Sequence, residues 1–130
     1  MKLAYLLFIA LVCLTAAASQ TEHQKVGRII EACQKELGST VNEIQNINLG
    51  IVNPDAGKQV LCVHRKLETL DRNGDVIPDK FKQHIQAITG DENHRKEFQD
   101  KCGKTQGGNP EVKAINFDKC IQSVIAKIHA

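Results

Sequence analysis

The chain has no tryptophan, and beside Tyr5 its only aromatic side chains are four phenylalanines. Stacking on a flat aromatic ligand therefore has few partners, and any core must be built mainly from aliphatic residues. There is no excess of one charge: 17 lysines and arginines stand against 15 aspartates and glutamates, dispersed along the chain. Nucleic acids and anionic membrane surfaces are recognised by a basic excess gathered on one face, so neither is an expected partner. Beyond the first residues no apolar run approaches the roughly 20 residues that a membrane span needs, which speaks against stable membrane insertion.

The motifs of common enzymes are missing as well. The sequence contains no His-Glu-x-x-His, no Gly-x-Ser-x-Gly and no glycine-rich phosphate loop. Asp71, Asn73 and Asp75 mimic the start of a calcium loop, yet Val76 stands at the required glycine and Lys82 at the final glutamate. Cys62 and His64 are two apart, which puts them on different helix faces and suits no closed zinc site. Small secreted phospholipases place cysteine, histidine and aspartate together around calcium, and no such cluster is written here. We expect no catalytic residues, no metal site, no cofactor and no enzymatic activity.

What is present begins with a secretory signal. Lys2 gives a positive start, Leu3 to Leu14 is almost wholly apolar, and Ala16 and Ala18 supply the small-x-small cleavage pattern. Residues 1–18 are read as a signal peptide, and residues 19–130 as one domain of a secreted, extracellular protein starting near Ser19. Its removal takes Tyr5, Phe8, Cys13 and Lys2, leaving 16 basic against 15 acidic side chains. Four cysteines remain: Cys33, Cys62, Cys102 and Cys120. An even set in a short exported chain is read as a disulfide framework, because that compartment is oxidising.

Helix punctuation is frequent along the rest of the chain. Val26, Ile29, Ile30, Cys33 and Leu37 share one face of a helix from Glu22 to Leu37, which Gly38 stops. Ser39 or Thr40 caps a short second helix with Val41, Ile44 and Ile47. Ile47 to Ile51 alternates like a strand but has no partner, and reads as helix end and loop. Asn53-Pro54 opens a third helix with a Val60, Val63, Leu67, Leu70 stripe, ending at Asp71-Arg72-Asn73-Gly74. Pro78 opens a fourth with Phe81, Ile85 and Ile88, closed by Gly90. Asp91 caps a fifth carrying Phe98 and Cys102, and Pro110 starts a sixth with Phe117, Ile121, Val124, Ile125 and Ile128. The fold class expected is all-α, a bundle of about six helices.

Four cysteines allow three pairings, and spacing alone does not choose among them. Helix placement favours Cys33–Cys62 and Cys102–Cys120, which also close the shortest loops. In the chain-entropy model each loop contributes roughly 3–4 kcal/mol, a large share for a small domain.

The cysteine pattern resembles that of the insect odorant-binding proteins of the pheromone and general odorant type. In that family the second and third of six cysteines are separated by three residues, and the fifth and sixth by eight. Counting back from Cys62 and Cys120 places the missing pair at Lys58 and Glu111. The Asp71-Arg72-Asn73-Gly74 turn also looks like the family's turn after its third cysteine. In the family the first cysteine pairs with the third, the second with the fifth and the fourth with the sixth. Only the complete middle bridge is absent, so no thiol is stranded, as in the branch often called minus-C. The resemblance covers nearly the whole chain after residue 18, implies the pairing given above, and implies a more deformable cavity than three bridges would allow.

The resemblance also implies a hollow centre. Candidate lining residues are Val26 and Ile30 from the first helix, Phe81, His84, Ile85 and Ile88 from the fourth, and Phe117, Ile121, Val124, Ile125 and Ile128 from the last. The alternative for each is a place in a filled core. An aliphatic lining suits fatty acids, esters, alcohols or terpenoids. His84 is a candidate hydrogen-bond partner for a ligand head group, or else a partly buried histidine bonded to backbone. His23, His64, His94 and His129 are expected at the surface. The implied function is a carrier, monomeric or weakly dimeric, that solubilises odorants, pheromones or other lipophilic molecules and releases them at a chemosensory receptor, a membrane or a second protein. The rival is a secreted interaction protein of venom, saliva, haemolymph or seminal fluid that works through its surface.

Overall fold

The computed structural model describes residues 21–130; the expected signal peptide and its cleavage site lie outside the described residues. Six helices follow one another: α1 (Glu22–Glu36), α2 (Glu43–Asn48), α3 (Ala56–Lys66), α4 (Pro78–Ile88), α5 (Glu92–Cys102) and α6 (Pro110–Ile128). Apart from a single bridge between Leu70 and Val76, the regular structure of the described residues is helical.

Local chemistry accounts for most of the helix ends. Thr21 and Gln24 form a reciprocal capping box at the start of α1, satisfying two otherwise orphaned N–H groups. Asp91 caps α5 through the His94 N–H, and Asn109 caps α6 through Val112, with Pro110 in the first turn where its missing N–H costs nothing.

Two helix starts differ from those expected. The cap of α2 is Asn42, whose side chain accepts from the Gln45 N–H, while the Ser39 hydroxyl accepts from Val41 N–H within its own turn. Val41 is thereby left exposed outside the helix. Helix α3 starts at Ala56 and not at Asn53-Pro54: the Asn53 carbonyl accepts from the Ala56 N–H in a turn that precedes the helix, and the Asn53 side-chain NH2 donates to both carboxylate oxygens of Glu43, at 3.2 and 3.1 Å. Gln59 completes this buried junction, donating to the Val41 carbonyl and accepting from the Glu43 N–H.

Helix α6 packs most extensively against α3, and α1, α2 and α5 lie against this pair. Its first turn meets two glycines. A Cβ on Gly57 of α3 would lie 2.6 Å from the Glu111 Cβ, and one on Gly74 would lie 2.8 Å from the Pro110 carbonyl oxygen. Gly74 also has φ of 78°, which disfavours any side chain there. Gly57, one residue before Lys58, thus lies against Glu111. Close backbone approach therefore joins α3 to α6 in the region where the six-cysteine pattern has its middle bridge.

Disulfides Cys33–Cys62 and Cys102–Cys120 tie α1 to α3 and α5 to α6, across 29 and 18 residues. The core between them holds Phe81, Phe98 and Phe117, all fully or almost fully buried. Replacing a buried phenylalanine of this kind with alanine costs roughly 3–5 kcal/mol.

Candidate functional site: a cavity between four helices

A cavity of about 640 Å³ lies between α1, α2, α4 and α6, with the end of α3 beside it. Its apolar wall comes from Val26 and Ile30 of α1, Ile44 of α2, Val63 and Leu67 at the end of α3, Ala87 and Ile88 of α4, and Ile121 and Ile125 of α6. The volume is within the range of pockets that bury small organic ligands, roughly 300–1,000 Å³.

Six of the residues expected at the lining are brought together here: Val26, Ile30, His84, Ile88, Ile121 and Ile125. Phe81, Ile85, Phe117 and Val124 are instead closed into the core. The reason is rotation about the helix axes. On α4 the arc of His84, Ala87 and Ile88 faces the cavity, while Phe81 turns inward to the Phe117 ring, with centroids 5.2 Å apart. Ile128 is half-buried against the core and does not line the cavity. Sequence periodicity marks an apolar arc, and the arc is wider than the part that meets the hollow.

The polar side of the cavity is built around histidines. His64 is not at the surface as expected: it is buried to 4% exposure at the end of α3, because a partner on α6 satisfies it. Its Nε2 lies 3.0 Å from Asp118 Oδ1, its Nδ1 lies 3.0 Å from Thr69 Oγ1, and its ring meets Phe117 edge to face. The Thr69 hydroxyl has two acceptors in reach, the His64 carbonyl at 3.1 Å and the ring Nδ1. If it turns to Nδ1, a neutral ring donates from Nε2 to Asp118. If it turns to the carbonyl, Nδ1–H can donate to the hydroxyl while Nε2–H still serves Asp118. The pair therefore stays bonded in either protonation state of the ring.

His84 stands at the same end. Its Nδ1 lies 3.2 Å from Glu22 Oε1, tying the middle of α4 to the first turn of α1. Burial lowers the His84 pKa from its ordinary value, and neighbouring His64 lowers it further; Glu22 opposes both. His23 and His129 are exposed at the cavity rim, whereas His94 sits half-buried on α5, away from it.

Sequence reasoning missed His64, Asp118 and Glu22, and also the contribution of α2. A signal for the buried pair was present. His64 lies four residues after Val60 and three before Leu67, and Asp118 lies four after Ala114 and three before Ile121, so each polar residue falls on an apolar stripe. Two oppositely chargeable residues on facing apolar stripes satisfy one another when buried. Among the described residues no group of three or more His, Cys, Asp or Glu side chains is arranged to hold a metal ion, and no helix is long and apolar enough to cross a membrane.

The sequence that builds this six-helix domain matches a known family. The model of the PBP/GOBP family aligns with residues 15–124, most of the chain. The chain belongs to that family. The chain is also similar to the "B2 protein" of Tenebrio molitor, 27% identical over 116 residues, covering 86% of this chain and 90% of that protein. The "B1 protein" of the same beetle is 28% identical over 91 residues, 68% of this chain and 69% of its own length. The solved structure of odorant-binding protein dmelOBP28a from Drosophila melanogaster superposes with a TM-score of 0.63 at 20% identity, covering 81% of this chain and 93% of that one. At that identity the likeness establishes the fold. Membership in the PBP/GOBP family places the chain, at the level of the family, among carriers of small hydrophobic ligands.

Proposed function

We propose that the protein is exported, that it matures near Ser19, and that it carries an aliphatic molecule through extracellular fluid to a receptor, membrane or second protein. The observation that carries this reading is the composition of the 640 Å³ cavity: its apolar wall is Ile, Val, Leu and Ala, and none of Phe81, Phe98 or Phe117 reaches it. Such a wall gives affinity through buried area, about 25 cal/mol per Å² of apolar surface, with little reward for a flat aromatic ligand. Two disulfides suit an oxidising compartment.

The test is to purify the protein without denaturation from its natural fluid, extract it with solvent, and identify the released molecules by mass spectrometry. An aliphatic compound enriched over a denatured control is the expected result. No enriched compound, together with no uptake of a displaceable apolar fluorophore, would overturn the carrier reading.

A second reading rests on the loop after α2, where Leu49, Ile51 and Val52 are exposed, Leu49 to 69%. Apolar side chains grouped at a loop tip favour contact with another protein. Replacing all three with serine leaves ligand uptake intact under the carrier reading and abolishes activity under the surface reading.

A further inference from the structure

The polar end of the cavity is rich in hydrogen-bond acceptors and has no cation in its lining. Glu22 accepts at His84 Nδ1, which fixes the neutral ring as the tautomer with hydrogen on Nδ1 and a lone pair on Nε2. That Nε2 has no partner among the described residues. Asp118 Oδ2, beside His64 at the same end, is buried and also lacks a hydrogen-bond partner among them. No lysine or arginine belongs to the lining. The carboxamides of Asn42, Gln45, Asn48 and Gln122 lie elsewhere in the lining, and Lys25 lies outside it. At His84 Nε2 and Asp118 Oδ2 themselves an incoming anion would meet lone pairs and the Glu22 and Asp118 carboxylates, and an ester or ether oxygen would meet a lone pair with no hydrogen to share. A hydroxyl supplies the missing hydrogen.

We propose that the cavity selects ligands bearing a terminal hydrogen-bond donor, an alcohol whose O–H is received by His84 Nε2, over ethers and carboxylates of the same chain length. His84 is the residue that determines this specificity, and Glu22 is a positioning residue that holds its tautomer. The inference rests on the carrier reading and adds the head-group class to it. The aliphatic wall of Val26, Ile30, Ile88, Ile121 and Ile125 receives the chain.

The test uses the mature protein loaded with an apolar fluorophore at neutral pH and displaced by three straight-chain competitors of equal length: a primary alcohol, its methyl ether and the carboxylate. A neutral hydrogen bond corresponds to about fivefold to tenfold in affinity, so the alcohol should compete that much better than the ether, with the carboxylate weakest. In His84→Leu the ether should compete as in the parent while the alcohol loses its advantage. In Glu22→Gln the side-chain amide can donate to Nδ1 and release the tautomer, so the advantage should shrink without loss of ether binding. Equal competition by alcohol and ether in the parent would overturn the inference and leave the carrier reading standing. An advantage undiminished in His84→Leu would overturn the assignment to His84, and one undiminished in Glu22→Gln would overturn the positioning role of Glu22. If the parent takes up no fluorophore at all, the carrier reading and the inference fall together.

Discussion

His64 Nε2 lies 3.0 Å from Asp118 Oδ1, and both side chains are almost wholly buried although 54 residues separate them. Removing one member leaves the other buried without its partner, which costs roughly 3–5 kcal/mol, whereas replacing both with apolar side chains is often close to neutral. His64→Leu should therefore be strongly destabilising in urea titrations, and adding Asp118→Leu should recover part of the loss. A single variant within about 1 kcal/mol of the parent would show that the pair contributes little.

The two helix glycines that allow the clearest comparison should respond in opposite directions to alanine. Around Gly27, in the middle of α1, a Cβ would meet nothing within 4 Å. Gly27→Ala should stabilise by about 0.5–1 kcal/mol through helix propensity alone. At Gly57 the same gain is opposed by a 2.6 Å approach to the Glu111 Cβ, which no side-chain rotation can relieve. Overpacking of this kind costs about 1–3 kcal/mol, so Gly57→Ala should lower the melting temperature. Stabilisation by both substitutions would contradict the close contact of α3 with α6.

Much of this fold was legible because its signals are local. Thr21, Asp91 and Asn109 cap through residues three positions away, and Pro78 and Pro110 announce helix starts by their own geometry. The start of α3 was not legible, since Asn53-Pro54 reads as a cap and first turn, whereas the chain makes a turn from Asn53 to Ala56 there and the Asn53 side chain bonds Glu43, ten residues back. The site divides in the same way. His84 could be picked out from its place between Phe81 and Ile88. His64 could not be assigned its role without knowing that α6 lies across α3 and brings Asp118 to it. The split of the apolar arc on α4 and α6 into core and cavity likewise depends on how each helix is rotated, which periodicity alone does not give.

Acid should weaken the fold partly through His84. Its folded-state pKa is lowered, chiefly by burial and then by His64; the groups that bear on it are Glu22 and Lys25 of α1 and His64 of α3, which itself pairs with Asp118 of α6. The unfolded chain therefore binds the proton more readily than the folded one. Stability from this group is fully present above the ordinary histidine pKa of about 6.5 and is lost as pH falls through the lower folded value. His84→Gln should flatten the fall in melting temperature between neutral and acid pH. Identical slopes for parent and variant would contradict this assignment.

Filling the cavity tests the account most directly. Ile30 and Ile125 face it from α1 and α6 and are half-buried, so either position has room for a larger ring that projects into the hollow. We predict that the parent takes up an apolar fluorophore and releases it to aliphatic competitors, and that Ile30→Trp and Ile125→Trp keep their helical circular dichroism but lose at least tenfold in fluorophore affinity, about 1.4 kcal/mol. Unchanged uptake by both folded tryptophan variants would place binding elsewhere and contradict the assignment of this cavity as the carrier site.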